Sequence, residues 1–124
     1  MPFGVWHPIE DAATAAPPSA GVLQTRAEGI LDYATGRSAM VLYACTAPGE
    51  TLRSFLAGRG ARDLRRAKAA GARWIRFSEV DPQVDPKKQM DDLLRGFAER
   101  FGAPPIANAG GARSARVTRP DGQD

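Results

Sequence analysis

Met40–Leu56 reads MVLYACTAPGETLRSFL, and its interpretation decides the fold. From Ala39 to Thr46 nearly every residue is apolar, aromatic or small, which is the pattern of a strand covered on both faces. Pro48 and Gly49 end that run. Thr51 or Gly49 can cap the next segment, in which Leu52, Phe55 and Leu56 recur at helical spacing. The stretch therefore predicts a buried strand feeding a helix, and its lack of a polar face predicts the central strand of a sheet.

Working outward, Ala20–Ala27 (AGVLQTRA) is a second strand opened by Gly21, and EGILDYATGRSA is punctuated by Gly29 and Gly36. Residues 61–71 (ARDLRRAKAAG) predict a further helix after Gly58 and Gly60, with Gly71 as its terminating glycine. Arg73–Val80 alternates, placing Ile75 and Phe77 on one face and Arg76 and Ser78 on the other. Asp85-Pro86 is an N-cap followed by a proline at the first helical position. Met90, Leu93, Leu94, Phe97 and Phe101 then trace one helical stripe closed by Gly102 and Pro104. A short helical turn over Ile9–Ala15 ends at Pro17-Pro18. Three strands are too few for a covered parallel sheet, so the fold expected is α+β, a small, mainly antiparallel three-stranded sheet flanked by helices. Residues 1–19 are expected to pack on this domain, residues 20–108 to form it, and residues 109–124 to be a disordered basic tail.

At 124 residues the chain suits one core, and 43% hydrophobic with 25% charged residues is a globular balance. One cysteine excludes an internal disulfide and suits a reducing compartment. The first residues show no signal-peptide pattern, and no apolar run of about 18 residues exists to span a membrane. The expected location is cytoplasmic. A net charge of +3 is modest, but its distribution is not even. Arg53, Arg59, Arg62, Arg65, Arg66, Lys68, Arg73 and Arg76 fall in one interval opposed by Asp63, and Arg62, Arg65 and Arg66 share a helical face suited to neighbouring phosphates. DNA or RNA is the partner this predicts. Cys45 reads as a small buried hydrophobe and His7 as a packing residue.

Gly21-Val22-Leu23, then Tyr43-Ala44-Cys45 preceded by Val41-Leu42, then Arg53 in TLRSFL and Asn108 in PPIAN together resemble the GIY-YIG nuclease superfamily over Gly21 to Asn108. The resemblance implies the order β-β-α-(α)-β-α, with Tyr43 and Arg53 at catalytic positions and Asn108 as the terminal asparagine. It also implies a carboxylate on the last helix holding one divalent cation, for which Asp91 and Asp92 are the candidates. Such a cation stabilises charge developing on the phosphate and leaving oxygen. Leu23 stands at the first-motif tyrosine, Cys45 at the second-motif glycine, and KKQMDDLLRGF carries no glutamate. The expectation is a degenerate member that associates with nucleic acid without cleaving it and uses no cofactor. Two alternatives stay open: a non-enzymatic protein-interaction module using Phe3 and Trp6, and a divergent Mg²⁺-dependent endonuclease. The simpler role for Asp91 and Asp92 is i,i+4 pairing with Lys87 and Lys88.

Overall fold

A computed structural model describes residues 3–108. The chain is α+β, with a four-stranded, wholly antiparallel sheet and helices on both of its faces. The elements are β1 (His7–Pro8), a 3-10 turn (Ile9–Asp11), α1 (Ala12–Ala15), β2 (Gly21–Tyr33), β3 (Gly36–Cys45), α2 (Leu52–Ala57), α3 (Gly60–Ala69), β4 (Ala72–Glu79) and α4 (Pro86–Phe101). Their order across the sheet is β1-β4-β2-β3.

Two expectations are corrected by this order. The sheet has a fourth strand, because His7 and Pro8 pair with Ile75 and Trp74 along the outer edge of β4. The central strand is β2, and the apolar segment containing Tyr43 is an edge strand, β3. Val41 to Ala44 are buried because helices cover both faces and residues 105–108 run beside the edge, with Ala107 N–H donating to Val41 C=O at 3.0 Å. An apolar run reports covered faces, and says nothing about how many strands flank it.

β2 also continues beyond Ala27 to Tyr33 and turns directly into β3 through Ala34 and Thr35. Register shifts around Arg26 bulge it, leaving Glu28, Gly29 and Ile30 exposed and breaking the alternation a strand ordinarily shows. The hairpin turn docks on the end of α4. There Thr35 donates its N–H to Phe101 C=O at 3.1 Å and its hydroxyl to Arg100 C=O at 2.9 Å, satisfying carbonyls that a helix end leaves unpaired. Gly102 takes the left-handed conformation (φ 82°) that closes this helix.

Side chains divide between two cores, alternating along each strand except where the register shifts around Arg26 reset the alternation. Leu23, Leu42, Ala44, Ile75 and Phe77 face α1, α2 and α3, meeting Ile9, Leu52, Phe55, Leu56 and Ala67. On the other face Tyr33 and Tyr43 meet Phe97 of α4, supported by Met90, Leu93, Leu94 and Phe101. Tyr33 and Phe97 are edge-on with centroids 5.1 Å apart. α2 begins with Thr51 and Ser54 in a reciprocal capping box, and its Leu52 and Arg53 N–H groups donate to Ser19 and Pro17 carbonyls at 2.8 and 3.1 Å. This ties residues 16–19 to the core. Among the described residues no helix is long and apolar enough to cross a membrane. The tail expected over 109–124 lies outside the described residues.

Tyr33 yields a pH prediction. Its hydroxyl donates to Met40 C=O at 2.8 Å and accepts from Ile106 N–H at 3.0 Å, and burial pushes its pKa from 10.0 up to about 12. The folded state therefore holds the phenolic proton more tightly than the unfolded chain does. Its contribution to stability is full below about 10 and is lost as pH rises toward about 12. Denaturant midpoints should fall across that window, on top of the smaller alkaline losses from the raised Cys45 and Tyr43 groups, and Tyr33→Phe should reduce the fall while lowering the neutral-pH midpoint. An unchanged alkaline slope in Tyr33→Phe would contradict this.

Candidate functional site

The outer edge of β3 is the floor of a groove of about 470 Å³. One wall is the start of α3, with Arg59, Asp63 and Arg66; the opposite wall is the start of α4, with Asp85, Lys87 and Met90. Tyr43, Cys45 and Asn108 lie between them. The groove exists here because β3 is an edge strand whose two covering helices both present their N-terminal turns at the same end.

Asn108 holds that edge as a strand would. Tyr43 N–H donates to Asn108 Oδ1 at 2.7 Å, and Asn108 Nδ2 donates to Tyr43 C=O at 2.8 Å. The side-chain amide thus satisfies both backbone groups of one edge residue. Arg66 secures the same segment, its Nε donating to Ala107 C=O at 3.1 Å and its Nη1 pairing with Asp63 at 3.0 Å. Arg59 forms a forked pair with Glu50, with contacts of 2.9 to 3.2 Å, and lies over the Phe55 ring at 4.7 Å.

Tyr43 is the end of a polar row running across the sheet. Arg76, Gln24 and Tyr43 are cross-strand neighbours. Arg76 Nε donates to Gln24 Oε1, and Gln24 Nε2 donates to the Tyr43 hydroxyl at 3.1 Å. This fixes the amide orientation and makes the Tyr43 oxygen an acceptor. Burial raises the Tyr43 pKa, against the Gln24 bond and the nearby Arg76 charge that lower it. The group is therefore a neutral hydroxyl at ordinary pH. Burial likewise pushes the Cys45 thiol up, which disfavours the nucleophilic thiolate. Cys45 is half-buried on the groove floor, more open than a core hydrophobe, and the sheet order places it at the edge opposite His7. His7 packs against Phe77.

The structure sorts the sequence-predicted residues into three places. Tyr43, Arg59, Arg66 and Asn108 meet at the groove. Arg62 and Arg65 join Arg59 and Arg66 around an adjoining depression of about 510 Å³ on α3, with Lys68 exposed farther along that helix. Arg53, Arg73 and Arg76 lie elsewhere. Arg53 is turned toward the amino-terminal segment, its Nε donating to Ala16 C=O at 3.0 Å. Arg73 approaches Glu28 at 4.0 Å, and Arg76 lies on the sheet face beneath Trp6.

Asp91 and Asp92 are outside the groove lining and pair along the helix with Lys87 at 3.0 Å and Lys88 at 3.6 Å, Asp92 also with Arg95. The groove's own carboxylates are occupied, Asp85 by the Lys87 N–H it caps and Asp63 by Arg66. Among the described residues no three of His, Cys, Asp or Glu come together as a cation site. This donor set does not fit a divalent ion, which needs convergent oxygens. Sequence reasoning missed Asp85 and Lys87 as groove residues and Gln24 as the centre of the row. The capping signal at Asp85-Pro86 marked where α4 starts, and a polar Gln24 inside an apolar strand was the available sign of the row.

No family model, curated protein or solved structure matches the chain.

Removing the Asn108 amide should expose how much the edge depends on it. Asn108→Ala should cost about 1–3 kcal/mol in urea denaturation, because two partly buried backbone groups of Tyr43 lose their partners. Asn108→Asp, which keeps the acceptor and loses the donor, should fall between. A loss below about 0.5 kcal/mol for the alanine variant would show that water replaces the amide without cost.

Proposed function

We propose that this domain binds a nucleic-acid phosphate backbone through α3 and the adjoining groove, without cutting it. The observation that carries the reading is the convergence of Arg59, Arg62, Arg65 and Arg66 around one depression, continuous through Arg59 and Arg66 with the groove at β3. Arg59 and Arg66 are held in place by Glu50 and Asp63, while Arg62 and Arg65 have no ion pair among the described residues. Two ordered guanidiniums beside two unneutralised ones suit successive phosphates, and binding would gain from counterion release.

A relationship with the GIY-YIG superfamily belongs to the same proposal. It is supported by a hairpin followed by two helices, a strand returning beside the first, and a long helix. It is supported also by the contact between Tyr43 and Asn108, two positions the resemblance selects. Arg53 turns away, and Asp91 and Asp92, the candidate ligands on α4, are paired with Lys87 and Lys88, so the reading is a member that keeps a phosphate-binding surface and lacks the catalytic set. No step in it is routed through a metal ion.

Fluorescence anisotropy of a labelled duplex across a salt series tests this. Log affinity should fall linearly with log salt, by about 0.9 per phosphate contact. The double variant R62E/R65E, which spares the structural bonds of Arg59 and Arg66, should flatten that slope by about 2 and act equally on unrelated sequences. Plasmid incubated with Mg²⁺ should stay intact. An unaltered slope in R62E/R65E, no binding at low salt, or metal-dependent nicking would each overturn the corresponding half of the proposal.

A further inference from the structure

α4 packs over β3 and the neighbouring part of β2. On the same side of the sheet, register places Arg26 opposite Trp74 and Gln24 opposite Arg76. Trp6, just before β1, lies against both arginines, with guanidinium carbons 4.5 Å (Arg26) and 4.4 Å (Arg76) from its ring centroid. Phe3 approaches Arg76 at 4.9 Å. Trp6, Arg26, Trp74 and Arg76 are all only half-buried, so this part of the sheet carries aromatic rings and stacked guanidiniums that are partly open to solvent.

Its charge is unneutralised. Neither Arg26 nor Arg76 has an ion-pair partner among the described residues. Arg76 spends its Nε on the neutral Gln24 amide, and the buried Arg26 Nε has no hydrogen-bond partner among the described residues. A half-buried arginine pair among aromatic rings complements a ligand that is both flat and anionic. A nucleotide combines those properties, since its base stacks on rings and guanidinium planes while its phosphate meets the cations. Duplex DNA does not, because its bases are already stacked inside.

We propose that Trp6, Arg26, Trp74 and Arg76 form a stacking platform for unpaired nucleotides, a surface separate from the α3 arginines. The nucleic-acid class of the ligand rests on the proposed function above; the surface itself rests on different residues. The protein has two tryptophans, Trp6 and Trp74, and both lie on this platform, so tryptophan emission reports on it alone.

The test titrates the full chain at low salt with a short oligothymidylate, a duplex, and a polyglutamate peptide, following tryptophan emission. The oligothymidylate should quench emission saturably, and the duplex and the peptide should not. Trp74→Leu should weaken the oligothymidylate about tenfold, the loss of roughly one stacked base, while Trp74→Phe, which keeps a ring, should stay near the parent. No quenching by the oligothymidylate would overturn the proposal, as would equal affinities for Trp74→Leu and Trp74→Phe. Quenching by polyglutamate as strong as by the oligothymidylate would overturn it in favour of an acidic protein partner. A protein that binds duplex in a salt-dependent way without quenching loses only this platform. One in which the oligothymidylate quenches, and R62E/R65E leaves duplex binding unchanged, loses only the α3 interface.

Discussion

β2 is hydrogen-bonded along both edges, and Gly21 to Thr25 are buried. That double constraint sets the position of everything else. A strand with two neighbours has no free edge on which its backbone could meet water, so β3 and β4 must both form for β2 to be satisfied. Its first residue is pressed closest: a Cβ on Gly21 would come 2.2 Å from the Ser78 carbonyl oxygen and 2.8 Å from a Leu52 methyl. Glycine at the head of β2 therefore has a packing reason, whatever motif it also resembles. From this strand the two faces part, Leu23 and Thr25 pointing to one side and Gln24 and Arg26 to the other.

The division of faces explains where polar chemistry can sit. Helices α1 to α3 cover one side with aliphatic side chains and Phe55. The opposite side is shared between the aromatic cluster under α4 and the arginines and tryptophans beside it. Gln24 stands at the boundary, 4% exposed, and its amide joins Arg76 to Tyr43. A buried amide can serve both neighbours only in one orientation, so the row is ordered by its own hydrogen bonds. The groove lies beyond the end of that row, where β3 runs out from between its covering helices.

Some of this was legible in residues alone. α4 was clear because its stripe, its Asp85 cap, its N1 proline and its Gly102 stop all agree. Ala39 to Thr46 was legible as a strand but misplaced as central, since apolarity measures burial of faces and Asn108, which covers the edge, lies 65 residues away from Tyr43. The second half of β2 was hidden by its bulge, where Glu28 and Gly29 interrupt any period. A two-residue strand such as His7–Pro8 has no period to find. Spacing along α3 puts Arg62, Arg65 and Arg66 on one face, and they line one depression, but it could not show that Arg53 turns to Ala16, a partner 37 residues distant. The alternation of Ile75 and Phe77 with Arg76 already placed Arg76 on the opposite side of the sheet from the main core. Reading the arginines by strand parity as well as by sequence interval would have separated it from the α3 group.

Nucleic-acid contacts on two separate surfaces of one small sheet domain are the central claim, and amide-resolved NMR titration with a single-stranded oligonucleotide tests that placement most directly. The result predicted is a bipartite footprint. Backbone signals of Arg62, Arg65 and Arg66 and the indole N–H signals of Trp6 and Trp74 should shift together during the titration, while those of Ile30, on the exposed bulge, and of Leu23 and Ile75, in the main core, stay fixed. Shifts confined to the bulge, or spread evenly over the surface with the two indoles unmoved, would contradict it.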